Sequence, residues 1–226
     1  MKVALVYTST TPELIEMVER EVRKNIREDT ELVSLQNPEI LKEVREAGYV
    51  TPKAASKLIR MYMEAVLQGA DAILNICSSV GETADSAQEV AAYIGVPVVR
   101  IDEEMCREAV RIAKKGSSRI AILATLPTTL KPTEKTVFRV AREMGARVDV
   151  VEGLIDGAFG LNQEQFRKQM LTAATKVADQ VDVILLAQGS MAYVEEDIYK
   201  ATGVATLSSP RFGAVELKKA LERKGL

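Results

Sequence analysis

The 226-residue chain contains no histidine, no tryptophan and only two cysteines, Cys77 and Cys106. Without histidine, every Ser-His or Cys-His couple and every His-ligated metal site is excluded. Two cysteines do not make a disulfide framework, and in a reducing compartment they stand as thiols. Aromatic residues are 4% of the chain, too few for base-stacking platforms. The net charge is −2, so no broad basic surface is offered to nucleic acid. No apolar run approaches the roughly 20 residues that span a bilayer. The opening Met1 to Tyr7 is too short for the apolar part of a signal peptide and leads straight into a strand pattern. Nor is there a tight Asp/Glu loop pattern that holds a metal by carboxylates alone. A cytoplasmic protein with no membrane, nucleic-acid or metal partner is therefore expected. Hydrophobic residues, at 47%, suffice for one large α/β domain or two smaller lobes.

Short apolar runs alternate with segments of helical period. Strands are expected at Lys2–Tyr7, Thr30–Leu35, Ala72–Ile76 and Val96–Ile101. A second series follows at Arg119–Ala124, Arg147–Val151, Asp182–Ala187 and Val204–Leu207. Helices are expected from Pro12, over Pro52–Gln68 and Gly81–Ile94, and from Asp102 to Lys115. Further helices are expected over Pro132–Met144, Gln163–Gln180 and Met191–Thr202, and from Pro210. Gln36–Val50 reads as a loop with one helical turn, and long loops often cover a site. This alternation predicts an α/β fold with mostly parallel sheet and helices on both faces. Ligands bind such sheets beyond the carboxyl ends of the strands.

Cys77 lies at such an end. Ile73-Leu74-Asn75-Ile76 leads into Cys77-Ser78-Ser79-Val80-Gly81, a strand followed by a tight turn and a helix start. A thiol there meets unsatisfied N–H groups and the positive end of the helix dipole, and both favour thiolate. Buried cysteines are usually inert, but a strand-to-helix turn favours the reactive reading.

The two series repeat each other. Val3 to Thr11 parallels Ile120 to Thr129, and each copy ends in a hydroxyl-rich turn. Ile73–Ser78 parallels Leu185–Ser190, which aligns Cys77 with Gly189 and Ser78 with Ser190, an offset of 112 residues (189 − 77). Two pseudo-symmetric parallel-sheet α/β lobes are expected, with the site in the cleft between them. Lobe 1 takes residues 1–102 with the C-terminal helix, about 210–226, and lobe 2 takes 103–209. The helix 103–116 and the C-terminal helix cross between the halves.

With these residues in view, the chain resembles the aspartate/glutamate (Asp/Glu/hydantoin) racemase superfamily, which includes hydantoin racemases, maleate isomerases and arylmalonate decarboxylases. The resemblance extends over nearly the whole chain. It implies catalysis without a cofactor, a small carboxylate-bearing substrate and a homodimer. In such racemases each lobe supplies a cysteine; one thiolate removes the α-proton and the other thiol returns one on the opposite face. By position Cys77 is the first of these, while Gly189-Ser190 stands where the second, a Cys-Thr pair, is expected. Gly cannot move a proton, so this member resembles a single-cysteine form.

An α-carboxylate needs donors, which helix N-termini and hydroxyls supply. Thr8, Ser9, Thr10, Ser78, Ser79, Thr128, Thr129 and Ser190 are the candidates, with Gly189 beside them; each hydroxyl alone is as well explained by a turn or cap. The same donors stabilise an enediolate as charge moves onto the carboxyl oxygens. Tyr7 and Asp102 are weaker candidates for a second acid. Arg211 is either a clamp for a distal acidic group or solvated surface, and Cys106 reads as packing. Four functions are consistent with this pattern. The first is a racemase or isomerase using Cys77 as base or nucleophile. The others are a malonate-type decarboxylase, a maleate-type cis-trans isomerase, and a small-acid binding protein without turnover.

Overall fold

The computed structural model describes residues 1–9 and 11–226. The chain divides into two compact units. Unit 1 comprises Met1–Ile101 and Pro210–Leu226, and unit 2 comprises Asp102–Ser209.

Unit 1 contains β1 (Lys2–Tyr7), α1 (Pro12–Arg23), β2 (Glu31–Gln36), α2 (Pro38–Ala47), α3 (Pro52–Leu67), β3 (Ala72–Ile76), α4 (Gly81–Ile94) and β4 (Val98–Arg100). A 3₁₀ turn, Ser78–Val80, joins β3 to α4. The sheet is parallel, in the order β2-β1-β3-β4. Side chains alternate across a strand, so Ala4, Val6, Ile73 and Val98 face α3 and α4. Val3, Leu5, Tyr7, Leu74 and Val99 face α1 and the C-terminal helix.

Unit 2 contains α5 (Glu103–Ala113), β5 (Arg119–Ala124), α6 (Pro127–Glu143), β6 (Asp149–Leu154), α7 (Gln163–Val177), β7 (Val183–Leu186), α8 (Glu195–Thr202) and β8 (Ala205–Ser208), before α9 (Ser209–Arg223) carries the chain back into unit 1. A 3₁₀ turn at Gly189–Val194 follows β7. The parallel sheet runs β6-β5-β7-β8, the same order as in unit 1. Ala121, Leu123, Ile184 and Leu186 pack on α7 and the α8 segment. The α/β class and the two pseudo-symmetric parallel sheets expected from the sequence are both present.

Two elements differ from expectation. Residues Pro38–Ala47 form a ten-residue helix rather than a loop. Pro38 occupies its first turn, Gly48 ends it in the left-handed conformation (φ 81°), and Ile40 and Val44, four residues apart, are buried against the core. α2 packs on α3, and Glu43 receives bonds from Thr51 and Lys57. Two buried residues in ten made too weak a stripe to read. The second difference is α6, which starts at Pro127 and not Pro132. Pro127 takes the first position, where a missing N–H costs least, while Pro132 lies inside the helix one turn further on.

The strand registers correct the alignment of the repeat. Val6 pairs with Asn75, and Leu123 with Leu186. Since β1 matches β5 residue for residue, Asn75 corresponds to Leu186 and Cys77 to Gln188, an offset of 111 (188 − 77). Three further pairs share that offset. β3 starts at Ala72 and β7 at Val183. The 3₁₀ turns start at Ser78 and Gly189. Asp71 and Asp182 each bond back to the first strand of their unit. Apolar runs slide past each other without penalty in sequence; a hydrogen-bond ladder does not, because one residue of slip turns every side chain to the other face. Gly189 therefore matches Ser78, and Ser190 matches Ser79.

Asp182 ties the start of β5 to the start of β7. Its carboxylate accepts from Ser117 N (2.8 Å), Ser117 Oγ (3.0 Å) and Arg119 N (2.9 Å). Burial pushes this carboxyl up, but the donors outweigh it and hold it below the usual range. Its contribution to stability is present above the unfolded-state pKa, about 4, and is lost as pH falls through the lower folded value. Asp182→Asn is expected to cost about 1–3 kcal/mol at pH 7. In urea melts the gap to wild type should narrow at pH 3; a gap of constant size at both pH values contradicts this account.

Candidate active site

β1 and β3 run parallel with Tyr7 opposite Ile76, so Thr8 and Cys77 leave the sheet side by side. By alternation both lie on the α3/α4 face, and Cys77 packs partly buried against that core. Cys77 is extended (φ −162°, ψ 113°) and immediately precedes the Ser78–Val80 turn, with no side-chain cap onto it. Ser78 and Ser79 are buried within that turn. The Thr8 hydroxyl is fully buried and has no hydrogen-bond partner among the described residues. Ser9 is half-buried, and Thr10 lies outside the described residues.

In unit 2 the matching positions are Thr125 and Gln188. Gln188 Oε1 accepts from Thr125 N at 2.9 Å, and its Nε2 donates to Thr125 Oγ1 at 2.7 Å. The amide is thus clamped at the strand end. It donates and accepts hydrogen bonds but does not ionise, and so cannot serve as an acid or base at neutral pH. Gly189 is half-buried and Ser190 exposed. Thr128 and Thr129 lie buried in the first turn of α6. The Thr128 hydroxyl has no partner among the described residues.

A polar network lies behind Cys77, and sequence reasoning missed it. Tyr62 Oη on α3 donates to Asn75 Oδ1 at 2.8 Å. Asn75 Nδ2 donates in turn to the backbone oxygen of Cys77 at 3.1 Å. Asn75 pairs in register with Arg100 on β4, and the Arg100 side chain, 2% exposed, forms an ion pair with Asp85 at 2.7 Å. A Cβ added at Gly81, the first residue of α4, would collide with the Arg100 guanidinium, so glycine makes room for it. Burial pushes the Tyr62 phenol well up; Cys77 adds to that, Arg100 opposes it, and Asp85 adds again. Tyr62, Cys77, Arg100 and Asp85 are therefore electrostatic neighbours. The readable signal was a polar residue inside an apolar strand, Asn75 in Ile-Leu-Asn-Ile and Arg100 in Val-Val-Arg-Ile.

The remaining candidates lie elsewhere. Tyr7 faces α1 and the C-terminal helix, on the opposite face of the sheet from Cys77, and burial first, then Glu19, raises its phenol above the usual value. Asp102 is buried before α5 and makes no side-chain cap. Cys106 is fully buried on α5. Arg211 is exposed and lies over the Phe212 ring, 4.8 Å from its centroid. No cluster of three or more Asp, Glu or Cys residues suited to a metal occurs among the described residues, and no helix there is long and apolar enough to cross a membrane.

The fold has known counterparts. Allantoin racemase from Klebsiella pneumoniae is 20% identical over all of this chain and 89% of its own, with a TM-score of 0.66. Glutamate racemase from Bacillus anthracis is 17% identical over all of this chain and 82% of its own, with a TM-score of 0.72. Aspartate racemase from Picrophilus torridus is 14% identical over 97% of this chain and 93% of its own, with a TM-score of 0.65. At these identities the likeness is one of fold. No curated protein matches the chain by sequence. The family model described as Asp/Glu/Hydantoin racemase, however, matches residues 3–217, and so the chain belongs to the Asp/Glu/hydantoin racemase family.

Proposed function

We propose that this protein is a cofactor-independent isomerase acting at the carbon next to the carboxylate of a small acid or amino acid, with Cys77 as its thiolate base or nucleophile. The observation that carries the reading is the place of Cys77: at the carboxyl end of a central parallel strand, beside a buried hydroxyl that has no partner among the described residues. The thiolate takes the α-proton, the C–H electron pair moves into an enediolate, and reprotonation at carbon completes the exchange. Thr8, Ser78 and Ser79, which stand with Cys77 at the strand ends of unit 1, are the proposed donors to the carboxylate and its enediolate, and Thr128, Thr129, Gly189 and Ser190 hold the corresponding turns of unit 2. The buried hydroxyl of Thr8, without a partner among the described residues, supports that role, since buried polar groups are rarely left so. The reading includes a homodimer in the cytoplasm, supported by the family resemblance and by two cysteines that are both thiols.

Gln188 favours a second reading. The position matching Cys77 in the repeat carries an amide in place of a second thiol, which favours chemistry that uses one cysteine. That suits decarboxylation of a substituted malonate, in which loss of CO₂ leaves the enediolate and the Cys77 thiol protonates it. It also suits thiolate addition to a carbon–carbon double bond, as in cis-trans isomerisation.

Proton NMR in D₂O with D- and L-amino acids, 2-hydroxy acids, substituted malonates and maleate separates these. Deuterium wash-in with inversion is expected for the leading reading. Exchange with retention, a new deuterated C–H after loss of CO₂, or fumarate formation moves the assignment to the second. No change in any compound sinks both and leaves a binding protein.

A further inference from the structure

We infer that Arg100 is a positioning residue for Cys77, its buried guanidinium supplying the positive charge that holds the thiol ionised. The inference rests on the reading of Cys77 as a thiolate and adds what maintains it. Three observations carry it.

The first is placement. Asn75 and Arg100 are opposite each other in register, and by alternation Asn75, Cys77 and Arg100 share the α3/α4 face. Tyr62 Oη is the common neighbour, sensing Cys77, Arg100 and Asp85. The second is cost. The guanidinium lies against Gly81, at the positive end of α4, and is nearly shut off from water. A buried cation at a helix N-terminus is electrostatically uphill. Asp85, on the next turn of the same helix, is bonded to it as a counter-charge. Packing alone asks for no arginine here, since the neighbouring strand positions are Val98 and Val99.

The third observation is internal to the chain. Leu186 pairs with Ser208 as Asn75 pairs with Arg100, so Ser208 is the unit 2 counterpart of Arg100. Ser208 Oγ donates to Glu195 on α8, the helix before its strand, as Arg100 bonds Asp85 on α4. A carboxylate near the start of the helix is therefore bonded in both units, one residue apart in the repeat, while the cation occurs only where the strand end carries a thiol. Where the strand end carries the neutral Gln188, the position is a neutral serine.

Among the described interactions, the charged and titratable groups around the thiol are Tyr62 from α3, Arg100 from β4 and Asp85 from α4, with Glu82 in the first turn of α4. A cation in this set favours thiolate and an anion disfavours it. The test is the pH dependence of alkylation by iodoacetamide, followed at Cys77 by peptide mass spectrometry, which reads it apart from Cys106. Wild type should titrate below the value of a free cysteine, about 8.5. Arg100→Met should raise the midpoint by about one unit, making alkylation about tenfold slower at pH 7. Arg100→Lys should restore part of the shift. Asp85→Asn, which leaves the arginine in place but removes its counter-charge, should move the midpoint the other way. Opposite shifts in the two variants are the expected result. A purely structural ion pair gives no shift, or shifts of the same sign, and either result overturns the inference. If Arg100→Met does not fold, Asp85→Asn still reads the effect. A wild-type midpoint at the free-cysteine value removes the thiolate reading itself; a low midpoint insensitive to both variants removes only the role of Arg100.

Discussion

Cys77→Ala is expected to lower turnover and α-proton exchange by about 10²–10⁴-fold, the range that a positioned proton-transfer group supplies. The loss should appear in kcat, because the thiolate acts on the α-carbon and not in holding the carboxylate. Stability should change by less than about 1 kcal/mol, since only one sulfur atom of a partly buried side chain is removed. Cys106→Ala is the matched control: it deletes a fully buried thiol of unit 2 and should leave exchange near wild type. Chain histidine is absent, so no imidazole stands ready to replace the lost base. Exchange rates for Cys77→Ala that match wild type on an identified substrate would end the mechanism proposed here.

The second large effect concerns stability. Gly81→Val is expected to cost about 3–5 kcal/mol, the loss seen when a buried ion pair is broken. A side chain at residue 81 meets the Arg100 guanidinium directly. The arginine cannot swing into solvent, because its side chain is 2% exposed and enclosed by β4, α4 and the network under Cys77. Making room for the new methyl groups means pulling the guanidinium off Asp85, leaving two charges without their mutual partner. For a chain of this size, melting temperature should fall by about 2–4 °C for each kcal/mol. Arg100→Met should be less than additive with Gly81→Val, because it removes the guanidinium with which the new side chain collides. Additive losses, or a Gly81→Val protein within about 1 kcal/mol of wild type, would show that the guanidinium does not need that space.

Much of this architecture was legible in the chain. Alternating apolar runs and helical periods marked the parallel sheets, and Gly, Pro and hydroxyl residues marked most boundaries. Cys77 was visible as a thiol at a strand end because an apolar run breaks there into Ser78-Ser79 and a glycine. Helix α2 was not legible, since its two core residues, Ile40 and Val44, make too thin a stripe against eight other positions. The start of α6 was ambiguous between two prolines, each acceptable in a first turn.

The amino-acid order by itself determined the α/β class, the twofold repeat and the exclusion of every mechanism that needs histidine. These follow from local periodicity and residue inventory, which need no knowledge of contacts. The tertiary structure decided two matters. It set Gln188, and not Gly189, as the counterpart of Cys77, because strand register depends on hydrogen bonds between segments more than sixty residues apart. It also joined Tyr62, Asn75, Asp85 and Arg100 behind the thiol, since four different elements supply them around one strand end. Side-chain pairing of that kind is fixed by packing across a sheet and leaves no periodic trace along the chain.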